Sequence, residues 1–382
     1  MDTANSKLEK IYFENLDALR FLAFFGVFLH HMFYTQDPVL AVSPVLVSLD
    51  HFFSNGQLGV NFFFVLSGFL ITYLLFAEEA RDSKINVLSF YARRTLRIWP
   101  LYYACLIFAF FLAPPLYQWV ARPLDETANS WMYFVFLANF DSIQNGIPTT
   151  PPLSVLWSVA IEEQFYLLWP LLLTVITGKP GRISLFFAII LTSLVFTAIN
   201  LNQGEFYLSK HTLPAISDMA VGALLAFVCF FQKKIIQRIS LAKKWQILLC
   251  YALGICLILF QVTLFNHPFL FTFKRFVFSL FFAFIIAEQV FCRNSLFKVG
   301  RLRFLTYWGN RSYGLYCLHY LAIFLVLQIT IPLEINRTLF GVCFIEPVAA
   351  MFLSLAIAWF SFRFFEQPFL KLKARTSLSK SG

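Results

Sequence analysis

Charge is scarce in this chain. Asp, Glu, Lys and Arg make up 13% of its 382 residues, against about 25% in a typical soluble domain. Mean hydropathy is +0.71 and hydrophobic residues reach 59%. Apolar runs of roughly 20 residues recur along the chain, which excludes an ordinary soluble core and points to a polytopic membrane protein. The inside/outside alternation of barrel strands is also missing, so the spans are helical. No C-x-x-C spacing occurs among the seven cysteines, all of which fall in or at the ends of apolar runs. Disulfides and a zinc site are therefore not expected, and neither is any other metal. P-loop, G-x-S-x-G, H-E-x-x-H and Rossmann signatures are absent, which removes the soluble enzyme classes they mark. The first apolar run follows a mixed-charge segment with no A-x-A site; it reads as a retained anchor rather than a cleaved signal.

What is present sorts by side. Ten spans are expected near 14–34, 57–77, 98–116, 154–176, 183–200, 212–231, 245–262, 272–291, 305–330 and 338–364. A short apolar piece, 130–140, is too short to cross. With a cytoplasmic N-terminus, the inner segments hold 22 of the 30 Lys and Arg residues and the outer segments 3. That asymmetry orients the chain with both termini cytoplasmic, 1–13 and the basic tail 365–382, in a multi-pass arrangement expected in the plasma (inner) membrane. The net charge of +10 is then a matter of topology, and no nucleic-acid partner is expected. The expected fold is an all-α bundle of about ten transmembrane helices in a single membrane domain, 1–382.

Against this background the polar residues inside spans stand out, since such residues normally face a bundle interior or a wet cavity. In "LDALRFLAFFGVFLHH", Arg20 and His31 are eleven residues apart, close to three helical turns, so they share a face about 16 Å apart along the axis. Asp17 lies near that face and His30 points about 100° away. His31 is either a hydrogen-bonded structural histidine or a functional imidazole. "LWSVAIEEQFYLLWP" puts Glu162 and Glu163 mid-span, facing in different directions and expected to have different partners, one of them an arginine or histidine of another helix. Ser67 and Gly68 interrupt the second span, where small residues permit close helix packing. Arg93, Arg94 and Arg97 cluster at the inner mouth of the third span, either as positive-inside anchors or as a phosphate clamp. Ser312, Tyr316 and His319 form one stripe on the ninth span. Together these residues suggest a hydrophilic tunnel with arginines at its cytoplasmic end.

Taken in order, "LDALRFLAFFGVFLHH", "GQLGVNFFFVLSGFLIT", "RRTLRIWPLYY", "LWSVAIEEQFYLLWP", "SYGLYCLHY" and the terminal "FEQP" resemble the membrane-bound acyltransferase-3 family along essentially the whole chain. The form looks like a stand-alone one, without the SGNH hydrolase-like domain of many members. The resemblance implies an O-acyltransferase that moves an acyl group, usually acetyl from acetyl-CoA, to a hydroxyl of a cell-surface glycan, glycolipid or similar acceptor. It implies His31, Arg20 and Glu162 as catalytic residues. Arg94 and Arg97, with Arg93 beside them, would handle acyl-CoA. From their own placement in the tunnel, Ser67, Tyr316 and His319 are expected to meet substrate. Relatives often carry an arginine before "GALLAF"; here the stretch has none, which leaves His211 and Asp218 unassigned. The expected partners are acyl-CoA, a carbohydrate or glycolipid acceptor and membrane lipid. The rival expectation is a glycan or lipid-intermediate transporter (flippase) using the same tunnel.

Overall fold

The computed structural model describes residues 12–119 and 125–378. Most of the expected N-terminal cytoplasmic segment and the last residues of the basic tail lie outside that range. Among the described residues the chain is helical and has no strand, as backbone groups in lipid require internal partners. Ten long helices among these residues carry the architecture: α1 (Glu14–His30), α2 (Leu58–Asp82), α3 (Val87–Ile107), α4 (Leu156–Val175), α5 (Lys179–Ile199), α6 (Thr212–Phe231), α7 (Lys244–Leu264), α8 (Pro268–Phe291), α9 (Ser312–Thr330) and α10 (Glu346–Phe360).

Eight of these, with their extensions, are long and apolar enough to cross a membrane. The other two of the ten, α1 and α4, do not combine that length and apolarity. α1 has only 17 residues, and α4 carries Glu162, Glu163 and Gln164.

The boundaries depart from the expected ones in two places. α3 starts at Val87 rather than near 98, capped by the Asn86 side chain, which accepts from the Ser89 N–H at 2.9 Å. Arg93, Arg94 and Arg97 are therefore inside a helix and not ahead of it. The run 305–330 is two helices, Arg303–Gly309 and α9. The first packs against α1 so closely that a Cβ on Gly309 would stand 1.7 Å from the Asp17 carbonyl oxygen. The 130–140 piece forms short helices at Ser130–Phe134 and Ala138–Asn145. It is tied to α3 where the Tyr102 hydroxyl donates to the Tyr133 carbonyl at 2.7 Å.

The centre of the bundle is the α2–α6 pair. A Cβ on Gly68 would lie 2.0 Å from the Met219 carbonyl oxygen, and one on Gly222 would lie 2.0 Å from that of Val65. The two backbones thus touch directly, which only small residues allow. α4 docks on α2 through the buried Trp169 indole, which donates to Thr72 at 2.8 Å. Arg182 at the start of α5 holds Glu79 of α2 through two bonds of 2.7 Å. His211 caps α6 by accepting from the Leu213 N–H at 3.1 Å. Asp218, fully buried, pairs with Arg275 of α8 at 2.8 Å and accepts from Ser279 at 2.5 Å. The one acidic residue of the stretch before "GALLAF" is thus paired with an arginine of another helix.

Because the α2–α6 contact is backbone on backbone, neither side can relax by changing rotamer. Gly68→Leu or Gly222→Leu is expected to destabilise the bundle by at least the roughly 1–3 kcal/mol typical of overpacked cores. Thermal unfolding in detergent should show a lowered midpoint or loss of monodisperse protein, whereas Leu253→Ala on an exposed face of α7 should show neither.

Candidate active site

A cavity of about 330 Å3 opens among α1, α2, α3, α4 and α9. Each helix brings polar groups to it: Asp17 and Arg20, Ser67, Arg94 and Arg97, Ser158, Glu162 and Tyr166, and Ser312 and Tyr316. Five segments distant in sequence therefore meet in one place. Arg20 is ion-paired with Asp17, one turn before it on α1. Arg94 and Arg97 also line the cavity, yet among the described residues neither has a hydrogen bond or ion pair. The Arg94 guanidinium lies 5.4 Å from the centre of the Tyr166 ring and 5.6 Å from that of Phe90. Arg93 turns elsewhere and binds Glu78 at 2.8 Å, so it does not join the other two. Glu366 of the "FEQP" motif lies within electrostatic reach of Arg97.

The two mid-span glutamates do have different partners, but these are not cations. Glu162 accepts from the Ser67 hydroxyl at 2.7 Å and from the Tyr166 hydroxyl at 3.0 Å, one on each oxygen. Glu163 accepts from the Trp99 indole at 2.8 Å, and its second oxygen is buried without a partner. One turn earlier on α4, Ser158 meets Tyr316 at 2.7 Å. Ser158 also bonds the Val155 carbonyl at 3.0 Å. A carbonyl only accepts, so the serine proton goes there and the Tyr316 hydroxyl donates to Ser158.

The histidine protons are fixed in the same way. His319 is fully buried. Its Nδ1 lies 2.7 Å from the Tyr316 carbonyl oxygen, so Nδ1 carries a proton. A second proton would make a buried cation with no carboxylate beside it among the described residues, which is unfavourable. His319 Nε2 therefore presents a lone pair, and His31 Nδ1, 2.9 Å away, donates to it. His31 Nε2 is left as the free base of the pair. Phe24 and Phe28 pack on the His319 ring at 5.6 and 6.4 Å and hold it in place. Beyond His31 the chain turns at Phe33, whose φ of +68° is rare for a bulky residue. Asn336 fastens that turn: it donates to the Tyr34 carbonyl at 2.9 Å and to the buried Glu346 carboxylate at 2.9 and 3.0 Å.

His31 does not line the cavity. It sits beyond Tyr316, joined to it through His319. Arg20 and His31 share a face of the first helix as expected, but about 16 Å of helix rise separates them, so they cannot touch the same reacting atom. Sequence reasoning passed over His30 and missed Lys210. The His30 ring lies 5.1 Å from that of His31. Lys210 places its ammonium 3.6 Å from the Trp157 ring centre, within electrostatic reach of both histidines. The one available signal for Lys210 was its position as one of three basic residues in the expected outer segments. Among the described residues no cluster of His, Cys, Asp or Glu could hold a metal ion, and the cysteines there are all free.

The family model "Acyltransferase domain" matches residues 13–363. The chain belongs to the acyltransferase-3 family. It is 29% identical to O-acetyltransferase OatA of Staphylococcus aureus over 97% of its length and 60% of that relative. It is 30% identical to peptidoglycan O-acetyltransferase OatA of Listeria monocytogenes, over 96% of this chain and 57% of that one. To putative peptidoglycan O-acetyltransferase YrhL of Bacillus subtilis it is 28% identical, over 94% and 55%. The chain thus spans a little over half of the length of these relatives. No solved structure matches it. The family match covers all five helices that build the cavity.

The Asn336 clasp gives a stability test. Asn336→Leu leaves the Tyr34 carbonyl and one face of Glu346 without a donor in a buried place. The expected loss is about 1–3 kcal/mol, read as a lower thermal midpoint, with Asn336→Gln intermediate.

Proposed function

We propose that this protein is a membrane O-acyltransferase that takes an acyl group, acetyl in the first instance, from acyl-CoA at the cytoplasmic side and gives it to a hydroxyl of a cell-surface glycan or glycolipid. The observation that carries the reading is the pairing of Arg94 and Arg97, two guanidiniums that line a cavity and have no ion pair among the described residues, with an imidazole pair just past that cavity whose free nitrogen is a base. Family membership and relatives named as peptidoglycan O-acetyltransferases support the same chemistry; neither of these two is named as a transporter.

The roles divide along the membrane normal. Guanidinium groups suit bidentate phosphate contacts, so Arg94 and Arg97 receive the anionic part of the donor. Arg20, too far from His31 to act on the same carbonyl, belongs with them, and Asp17 orients it. The cavity is at the lower end of the roughly 300–1,000 Å3 typical of ligand sites, so it takes the thioester arm and not the whole donor. Ser67 and Tyr166 hold Glu162 rigidly, and Glu162 balances the three arginines. His31 Nε2 takes the proton of the acceptor hydroxyl as its oxygen attacks the thioester carbon. The new C–O bond forms, the C–S bond breaks, and the thiolate recovers the proton from His31 and leaves as free CoA thiol. His319 acts through His31: it fixes the tautomer, as the third member of a catalytic triad does.

Purified protein in lipid nanodiscs with radiolabelled acetyl-CoA and a crude cell-surface glycan fraction tests this. CoA release that rises with glycan is expected, with label appearing on the glycan. His31→Ala should lower kcat about 10²–10⁴-fold, the range of a lost general base. His319→Phe should lower kcat with little change in donor KM and should move the pH profile, which a packing role alone would not do. Arg94→Ala should raise donor KM at least about tenfold, with Arg94→Lys only partly restoring it. CoA release that is indifferent to His31→Ala, or no release from any acyl-CoA by folded protein, would overturn the reading.

A further inference from the structure

A second cavity, of about 290 Å3, shares no lining residue with the first. It lies beyond the C-terminal end of α1, among α1, α2, α5, α6, α7, α8 and the short helix Gly204–Lys210. His30 forms part of its wall. From His30 a row of rings leads inward: His31 at 5.1 Å, then His319 at 5.2 Å, then Tyr316 at 5.9 Å. Tyr316 lines the first cavity. The row of rings therefore runs from the second cavity at His30 to the first at Tyr316.

The lining of this second cavity has a distinct chemistry. Gln57, Asn61, Thr197, Ser209, Gln261 and Thr272 give it amide and hydroxyl groups, with Phe271 and Phe278 as apolar faces. Its two cations are already compensated: Arg275 by buried Asp218 at 2.8 Å, and Lys274 by Glu205 at 2.8 Å. A cavity rich in amides and hydroxyls, edged by aromatic faces and without uncompensated charge suits a neutral polyhydroxylated ligand better than an anion or a lipid tail.

We propose that this cavity is the acceptor pocket, that it takes one neutral sugar residue of a larger glycan, and that His30 lies against the sugar and presents one hydroxyl toward His31. The proposal rests on the acyltransferase reading for what happens to the sugar, but not for whether the sugar binds. Asn61 and Gln57 are the polar contacts most open to test. His30 is a positioning residue: it hands the hydroxyl to His31 rather than taking the proton itself.

The test uses the full chain in nanodiscs and a radiolabelled tetramer of N-acetylglucosamine, with equilibrium binding measured in the absence of any acyl donor. Wild-type protein is expected to bind the tetramer, and Asn61→Leu and Gln57→Leu to weaken binding about tenfold or more. His30→Phe should raise the KM for tetramer more than it lowers kcat. Since a leucine variant can fail to fold, Gln57→Cys provides an independent reading: an impermeant maleimide should label the introduced thiol, and the tetramer should slow that labelling. Binding with these effects but no CoA release from acetyl-CoA would keep the pocket and remove the acyltransferase reading. Wild-type protein that neither binds the tetramer nor transfers acyl to it would overturn the pocket. So would folded Asn61→Leu and Gln57→Leu variants that match wild type in both, or maleimide labelling of the Gln57→Cys variant that the tetramer leaves unchanged.

Discussion

One hydrogen bond organises this molecule, the contact of 2.9 Å between His31 Nδ1 and His319 Nε2. Its direction is set from outside the pair, because the Tyr316 carbonyl can only accept from His319. From that follows the proton on His31 Nδ1 and the lone pair on its Nε2. The rest of the bundle holds these two rings in register. α1 is seated on the helix Arg303–Gly309 by the Gly309 contact, α9 is tied to α3 through the Tyr313 hydroxyl on the Ile98 carbonyl, and the turn after His31 is clasped by Asn336. Phe24 and Phe28 close the sides.

Around that bond the polar groups form a column rather than a cluster. Going outward come the three arginines with Asp17, then Glu162 between Ser67 and Tyr166, then Ser158 on Tyr316, then His319 and His31, and last His30 facing the second cavity. Such a column is costly in a membrane, and its members recover the cost by bonding one another. Arg94 and Arg97 are the exception. They line a cavity and, among the described residues, have no hydrogen bond or ion pair, although Glu162 and Glu163 lie within electrostatic reach of Arg94.

Much of this was legible in the sequence, and the reasons are specific. The eleven-residue spacing of Arg20 and His31 put them on one face because helix period alone decides it. Ser312, Tyr316 and His319 formed a stripe for the same reason, and Gly68 announced a close helix contact. What periodicity cannot carry is partnership across helices. That Glu162 is held by two hydroxyls, that Arg93 leaves its neighbours for Glu78, and that Asp218 borrows Arg275 from α8 are facts of tertiary packing. The helix starts at Val87 and Ser312 were missed because capping by Asn86 and the backbone contact at Gly309 override hydropathy. α1 and α4 fall outside the eight helices that satisfy length and apolarity, and they carry Arg20, His31 and Glu162 or stand directly before them. For α1 the length of 17 residues is the cause, and for α4 the polar run Glu162–Gln164, which lowers the hydropathy by which a span is recognised.

In the proposed reaction, donor and acceptor reach the imidazoles from opposite sides of the membrane. Sealed vesicles containing the protein in one orientation test it most directly, with acetyl-CoA confined to one compartment and the glycan to the other. Glycan is expected to become acetylated in its own compartment while free CoA accumulates in the other, and acetyl-CoA and glycan both placed on the glycan side are expected to give no product. Product formed only when both share one compartment would contradict it.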